Sequence, residues 1–164
     1  MVAANPSSIT SERIRYLFDY NPETGDFIRR VDYGTKGKAG TVWQGNTLTV
    51  DDETHKTARY IWLHYYGEWP PLDVYVDHED RIRAHNWILN LRLVTPTQNQ
   101  QNKAGMGTYA KGVTWRDRKH KPWQARIRIN GFRLHLGSFE TEEEAAEAYQ
   151  QACLQHHGEF ACLE

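Results

Sequence analysis

At 164 residues, with 39% hydrophobic and 25% charged side chains, the chain has room for one ordinary domain or two small ones. It has no stretch apolar and long enough to span a bilayer. The formal net charge is −1, and the two cysteines, Cys153 and Cys162, form no CxxC pair, so they build neither a disulfide framework nor a cysteine zinc site. The opening MVAANPSSITSER lacks a basic head and an apolar core, so it does not read as a secretory signal and a cytoplasmic setting is expected.

Taken in order, the first element is a helix over roughly 10–19, with Ile14, Leu17 and Phe18 on one side and a Ser/Thr-rich start to cap it. NPETG (21–25) is a turn by composition, and DFIRRV that follows it reads as a strand. TVW and TLTV flank Gly45-Asn46, which predicts a hairpin there. In KTARYIWLHYYG (56–67), helical spacing puts Ala58, Ile61, Trp62 and Tyr65 on one face, with Gly67 as the stop. Trp62, Trp69 and Trp87 are expected in the core. VYVDH (74–78) is strand-like. TPTQ (95–98) opens a second helix, with Thr95 as cap and Pro96 at the first helical position. The Gly-rich KAGMGTY (103–109) is the expected linker. GVTWRD, WQARIRIN and FRLHLGSF read as three strands, the last two joined at Asn130-Gly131. TEEEAAEAYQQACLQHHG (141–158) is a helix with Thr141 and Glu144 placed for a capping box.

Charge is unevenly spread along this last third. From Lys111 to Arg133 eight basic residues stand against Asp117 alone, while from Leu136 onward there are seven glutamates and neither lysine nor arginine. Strand alternation sends Trp123, Ala125, Ile127 and Ile129 to one face and Gln124, Arg126, Arg128 and Asn130 to the other. By the same rule Phe132, Leu134 and Leu136 join the apolar face, opposite Arg133 and His135. The helix supplies Ala145, Ala146, Tyr149, Ala152 and Cys153 to cover that face. The other face is then open and basic, which suits phosphate by counterion release and guanine by bidentate arginine contact.

The segments KGV (111–113), WQARIR (123–128), LGSFETEEEAAEAY (136–149) and HGEFA (157–161) resemble the Apetala-two/ethylene-response-factor DNA-binding domain over the last third of the chain. The resemblance implies a three-stranded sheet in the major groove with a helix behind it. By position, Lys111, Thr114, Arg116, Arg126, Arg128, Arg133 and His135 would face DNA. Thr114 and His135 stand where plant members usually carry arginine and tryptophan.

A DNA reader gives the cluster in VDHEDRIRAHNWILNLRLVTPTQNQQN (76–102) a plausible substrate, a phosphodiester. Its hydrolysis needs a base to activate water, a cation to neutralise developing charge, and ligands for that cation. The Asp77 carboxylate and the Asn99 amide oxygen are hard donors that suit magnesium. The neutral imidazole of His78 suits a general base at physiological pH. The motifs DH (77–78), NWILNLR (86–92) and TPTQN (95–99), preceded by RYIWLHYYGEWPP (59–71), resemble the HNH endonucleases, specifically the phage and intron-encoded group with asparagine in the last position. That resemblance implies a ββα-metal site in which Asp77 and Asn99 hold one divalent ion, His78 is the base, and Asn90 orients the histidine loop. Family members usually read D-H-x-N-G-D. Here DHEDRI puts Arg81 at the glycine position, so Arg81 must take an unusual torsion or the loop must differ. Glu79 and Asp80 add negative charge, and Ala58 stands where a histidine is common.

The other candidates carry blander expectations. Asn86 is a turn residue, the His156-His157 pair a helix C-terminal cap, and Arg59 either a phosphate contact or an ion-pair partner of Glu68. The expected fold class is α+β, a ββα-metal nuclease domain (1–103) followed by a three-stranded antiparallel sheet packed on one helix (104–164). The expected function is a DNA endonuclease dependent on magnesium or manganese, without structural zinc, acting as a monomer in a nicking or homing role. The alternative is a DNA-binding regulatory or architectural protein with a decayed nuclease site.

Overall fold

The computed structural model describes residues 7–34, 37–103 and 107–161. Parts of the expected linker and of the N-terminal stretch, and Cys162, lie outside them. The chain is α+β and divides into two compact units, Met1–Thr95 and Pro96–Glu164.

In the first unit, α1 (Ser11–Leu17) starts where the Thr10 hydroxyl accepts the Arg13 amide. It ends as the chain turns extended into β1 (Phe18–Tyr20), which pairs antiparallel with β2 (Phe27–Arg29). Phe18 and Phe27 stack 4.3 Å apart in the core. The second hairpin is not at Gly45-Asn46. It joins β3 (Thr47–Val50) to β4 (Glu53–Lys56) through Asp51 and Asp52, both in the left-handed region. Aspartate tolerates that torsion, and the Arg13 guanidinium holds Asp51 at 2.8 Å. Gly45 instead accepts the Trp43 indole hydrogen on its carbonyl.

Helix α2 (Thr57–Tyr66) closes at Gly67, but its buried face is Thr57, Ala58, Tyr60, Ile61 and Leu63. The expected face is therefore rotated. Tyr65 is exposed, and Trp62 is half-buried, its ring tilted against Tyr66 at 4.3 Å. Trp69 and Trp87 are half-buried as well; Trp69 packs against the core cluster and the Tyr60 ring, and Trp87 against the His85 ring. Ile14, Leu17, Phe18, Tyr60 and Ile61 are almost wholly removed from water, which at about 1.5–3 kcal/mol per large apolar side chain makes this cluster the main support of the unit. The Arg59 guanidinium donates to the Val74 and Pro70 carbonyls, strapping the loop that leads to β5 (Tyr75–His78). A short 3-10 turn (Ile88–Asn90) then leads into β6 (Leu91–Val94), antiparallel to β5.

The second unit begins with α3 (Pro96–Gln101). Its sheet has the order β7 (Val113–Trp115), β8 (Trp123–Ile129), β9 (Phe132–Phe139). Asn130 and Gly131 turn between β8 and β9 with φ of 50° and 85°, the mirror-image turn expected of that pair. Helix α4 (Glu142–His157) carries the full capping box of Thr141 and Glu144 and buries Ala145, Tyr149, Ala152 and Cys153 on the sheet. Two apolar residues depart from expectation: Phe132 is 81% and Leu134 48% exposed. The helix ends level with Arg128, whose carbonyl meets His157 Nε2 at 3.1 Å, so it does not extend over the hairpin tip. A bulge between Ala125 and Arg126 leaves Leu136 as the extra residue of β9.

Candidate active site and nucleic-acid face

Strand β5 delivers Asp77 and His78 at its last two positions, with Arg92 and Leu91 as their cross-strand partners. Cross-strand partners share a face. The Asp77 carboxylate lies 3.5 Å from Arg92 Nε, with both side chains 16% exposed. Beyond His78 the chain must reverse, and Arg81 does this at φ 66°, the left-handed torsion its place in the motif requires. For a residue with a Cβ that costs about 1–2 kcal/mol.

Asn90 holds the reversal in place. It is 5% exposed, and its side chain accepts the Asp80 amide at 3.1 Å while donating to Asp80 Oδ1 at 3.0 Å and the His85 carbonyl at 2.7 Å. Its backbone carbonyl also accepts the Glu79 amide. The loop from Glu79 to His85 is thus tied to one buried amide, which satisfies its polar groups internally. Burial pushes the Asp80 carboxyl up, but bonds from the Ile82 amide, His85 and Asn90 prevail and hold it below the ordinary carboxylate range. Asp80 and His85 meet at 2.6 Å.

His78 itself is met by Asn86, whose place in the sequence predicts only a turn. Asn86 Oδ1 lies 3.0 Å from His78 Nε2. The spacing of eight residues across a loop gives no periodic cue, so only the closed loop reveals the pair. An imidazole bonded in this way can present its other nitrogen to solvent as a base. Asn99, the remaining motif residue, is half-buried on α3 and belongs to the second unit.

In the second unit, Arg126 pairs with His135 and Arg128 with Arg133 across β8 and β9, which puts these four side chains on one face, all exposed. Thr114 on β7 and Arg116 just beyond it are exposed too. Gln124, only 3% exposed, accepts Arg126 Nη2 at 3.0 Å and so fixes one arginine of the row. Lys111 differs from the rest: its ammonium donates to the Gln101 carbonyl at 2.7 Å and to the Lys103 carbonyl, at the C-terminal end of α3. A cation there complements the helix dipole. Within this unit a cleft of about 510 Å³ is walled by Thr97, Gln100 and Gln101 on one side and by Lys111, Thr114, Arg116, Arg126, Arg128 and Arg133 among others. Among the described residues no three His, Cys, Asp or Glu side chains gather as a metal cage, and no helix is long and apolar enough to cross a membrane.

Residues 55–101 match the family model described as HNH endonuclease. An uncharacterized HNH endonuclease of Acanthamoeba polyphaga mimivirus is 38% identical over 91 residues, 56% of this chain and 47% of that protein. AP2-like ethylene-responsive transcription factors of Arabidopsis thaliana and Oryza sativa subsp. japonica are 54% and 52% identical over 50 residues. These cover 29% of this chain but only 9% and 8% of theirs. The chain thus spans about half the length of the viral relative and less than a tenth of the plant ones. No solved structure matches it. Strands β5 and β6 and the loop tied to Asn90 lie within the segment that matches the HNH endonuclease model.

Proposed function

We propose that the protein is a divalent-metal-dependent DNA endonuclease, with residues 1–103 as the nuclease domain and 104–164 as an Apetala-two-like reader. The observation that carries this reading is the consecutive Asp77 and His78 at the end of β5, followed by a loop tied down by buried Asn90 within the HNH match. His78 takes a proton from water as the water oxygen forms its bond to phosphorus. The bond from phosphorus to the leaving oxygen breaks, and that oxygen collects a proton from solvent. Asp77 supplies the hard carboxylate that a magnesium or manganese ion prefers, and the motif adds the Asn99 amide oxygen as a second ligand. Such an ion, when bound, neutralises charge on the phosphate and the leaving oxygen. Asn90 keeps the histidine loop in place.

The exposed Arg126, Arg128, Arg133, His135, Thr114 and Arg116 support double-stranded DNA as the partner, with arginines for guanine edges and phosphates. Lys111 belongs to the same set by motif. One site per chain fits a monomer that cuts one strand at a time, in a cytoplasmic nicking or homing role of phage type.

A second reading, a DNA-binding regulator with a decayed nuclease site, is favoured by the Arg92 guanidinium beside Asp77 and by Arg81 in the glycine position. Conversion of supercoiled plasmid to open circle separates the two. Chelator-treated protein regains cleavage when magnesium or manganese is returned if the nuclease reading holds. Salt-sensitive DNA binding without conversion under either ion, on a library of sites, establishes the regulator.

A further inference from the structure

We propose that Asn86 is a positioning residue for His78, and that the N-terminal β1–β2 hairpin, outside the HNH match, exists in part to hold it there. The inference rests on the nuclease reading for its use of His78, but its geometry stands without it. Asn86 Nδ2 points to the Ala84 carbonyl at 3.5 Å, which leaves Oδ1 as the atom presented to His78 Nε2 at 3.0 Å. An amide oxygen only accepts, so Nε2 carries the hydrogen and the Nδ1 lone pair is left as the base.

Three contacts from the hairpin and its turn fix the backbone from Asn86 to Ile88. The Tyr20 hydroxyl donates to the Asn86 carbonyl at 2.7 Å. Burial, aided by Tyr65 and Tyr66, pushes that phenol above its ordinary value, so it remains a donor. The Ile88 amide donates to the Pro22 carbonyl at 2.9 Å. Gly25, at φ 80°, lets the turn press against this segment: a Cβ there would stand 2.5 Å from the Trp87 nitrogen and 2.6 Å from the Asn86 carbonyl carbon. The hairpin is therefore a buttress, and Asn86 transmits its position to the imidazole. The matched segment begins at residue 55, so a motif-only account of the site leaves this support out.

The test uses full-length protein with 15N-labelled histidine and long-range proton–nitrogen correlation at about pH 8.5, above the ordinary imidazole range. Wild-type His78 should show a single tautomer with hydrogen on Nε2. Asn86→Ala should give a mixture of tautomers and lower the cleavage rate about 10–100-fold, the range for residues that orient a working side chain, with DNA affinity unchanged. Asn86→Asp, which keeps an acceptor at that position, should restore the single tautomer and most of the rate. Tyr20→Phe, a mild change, should move both readouts in the same direction by less. A His78 tautomer and a cleavage rate that ignore Asn86→Ala would overturn the proposal. Should wild type fail to cut while the tautomer follows Asn86, the positioning stands and the nuclease reading alone falls.

Discussion

Asn90 in the first unit is 5% exposed and spends its whole side chain on three hydrogen bonds, whereas Arg126, Arg128 and Arg133 in the second stand open to solvent. One region ties its histidine loop to a buried amide. The other leaves its charges extended from a sheet whose far side is packed by α4. Bond making requires a fixed nitrogen and a fixed carboxylate, while capture of a polyanion requires accessible charge and tolerates side-chain freedom. On the proposed function, damage to the first unit should remove cutting without removing DNA retention, and damage to the second should do the reverse.

The largest blow to the first unit is Phe18→Ala. It removes the ring stacked on Phe27 and should cost about 3–5 kcal/mol, read as a lower denaturant midpoint. DNA capture at low temperature should survive, and its loss would break the contrast. On the other side, Arg128→Ala should cost about 1–3 kcal/mol of discrimination if the guanidinium is bidentate to a guanine. If it meets a phosphate instead, the slope of log affinity against log salt should fall by about 0.9 for all sequences alike. Fluorescence anisotropy on cognate and scrambled duplexes tells the two apart, and an unchanged affinity would remove Arg128 from the face.

Smaller effects sharpen the comparison. Thr141→Ala should cost the second unit about 1 kcal/mol through loss of the capping box, seen in its thermal midpoint, with cleavage per bound complex unchanged. His64, whose Nε2 meets the Phe18 carbonyl, is held below its ordinary pKa by burial. The unfolded chain therefore takes up a proton below about pH 6.5 before the folded one does. The contribution of His64 is full above that value and is lost as pH falls through the folded pKa. His64→Gln should flatten the acid side of the stability curve, and an unchanged slope would show that His64 does not set it.

What could be read from the chain, and what could not, follows the same division. The arginine row and the α4 capping box were legible because alternation and cap spacing are local rules, and Arg126, Arg128, Thr141 and Glu144 obey them. The Asp51-Asp52 hairpin escaped because two aspartates take left-handed torsions that Gly45-Asn46 advertised more loudly. The face of α2 rotated because the core takes Tyr60 and Leu63, which leaves Tyr65 outside. The Asp-His pair and Asn90 could be placed by motif, but the link from Asn86 to His78 depends on a closed loop and on Gly25 pressing from far away in sequence. The link from Lys111 to the end of α3 is equally non-local.

The most direct test of the central claim is a plasmid-nicking time course with wild type and His78→Ala in magnesium, with DNA binding measured in the same samples. The account predicts a fall in cleavage of about 10²–10⁴-fold with binding unchanged. Equal cleavage by the two proteins would contradict it.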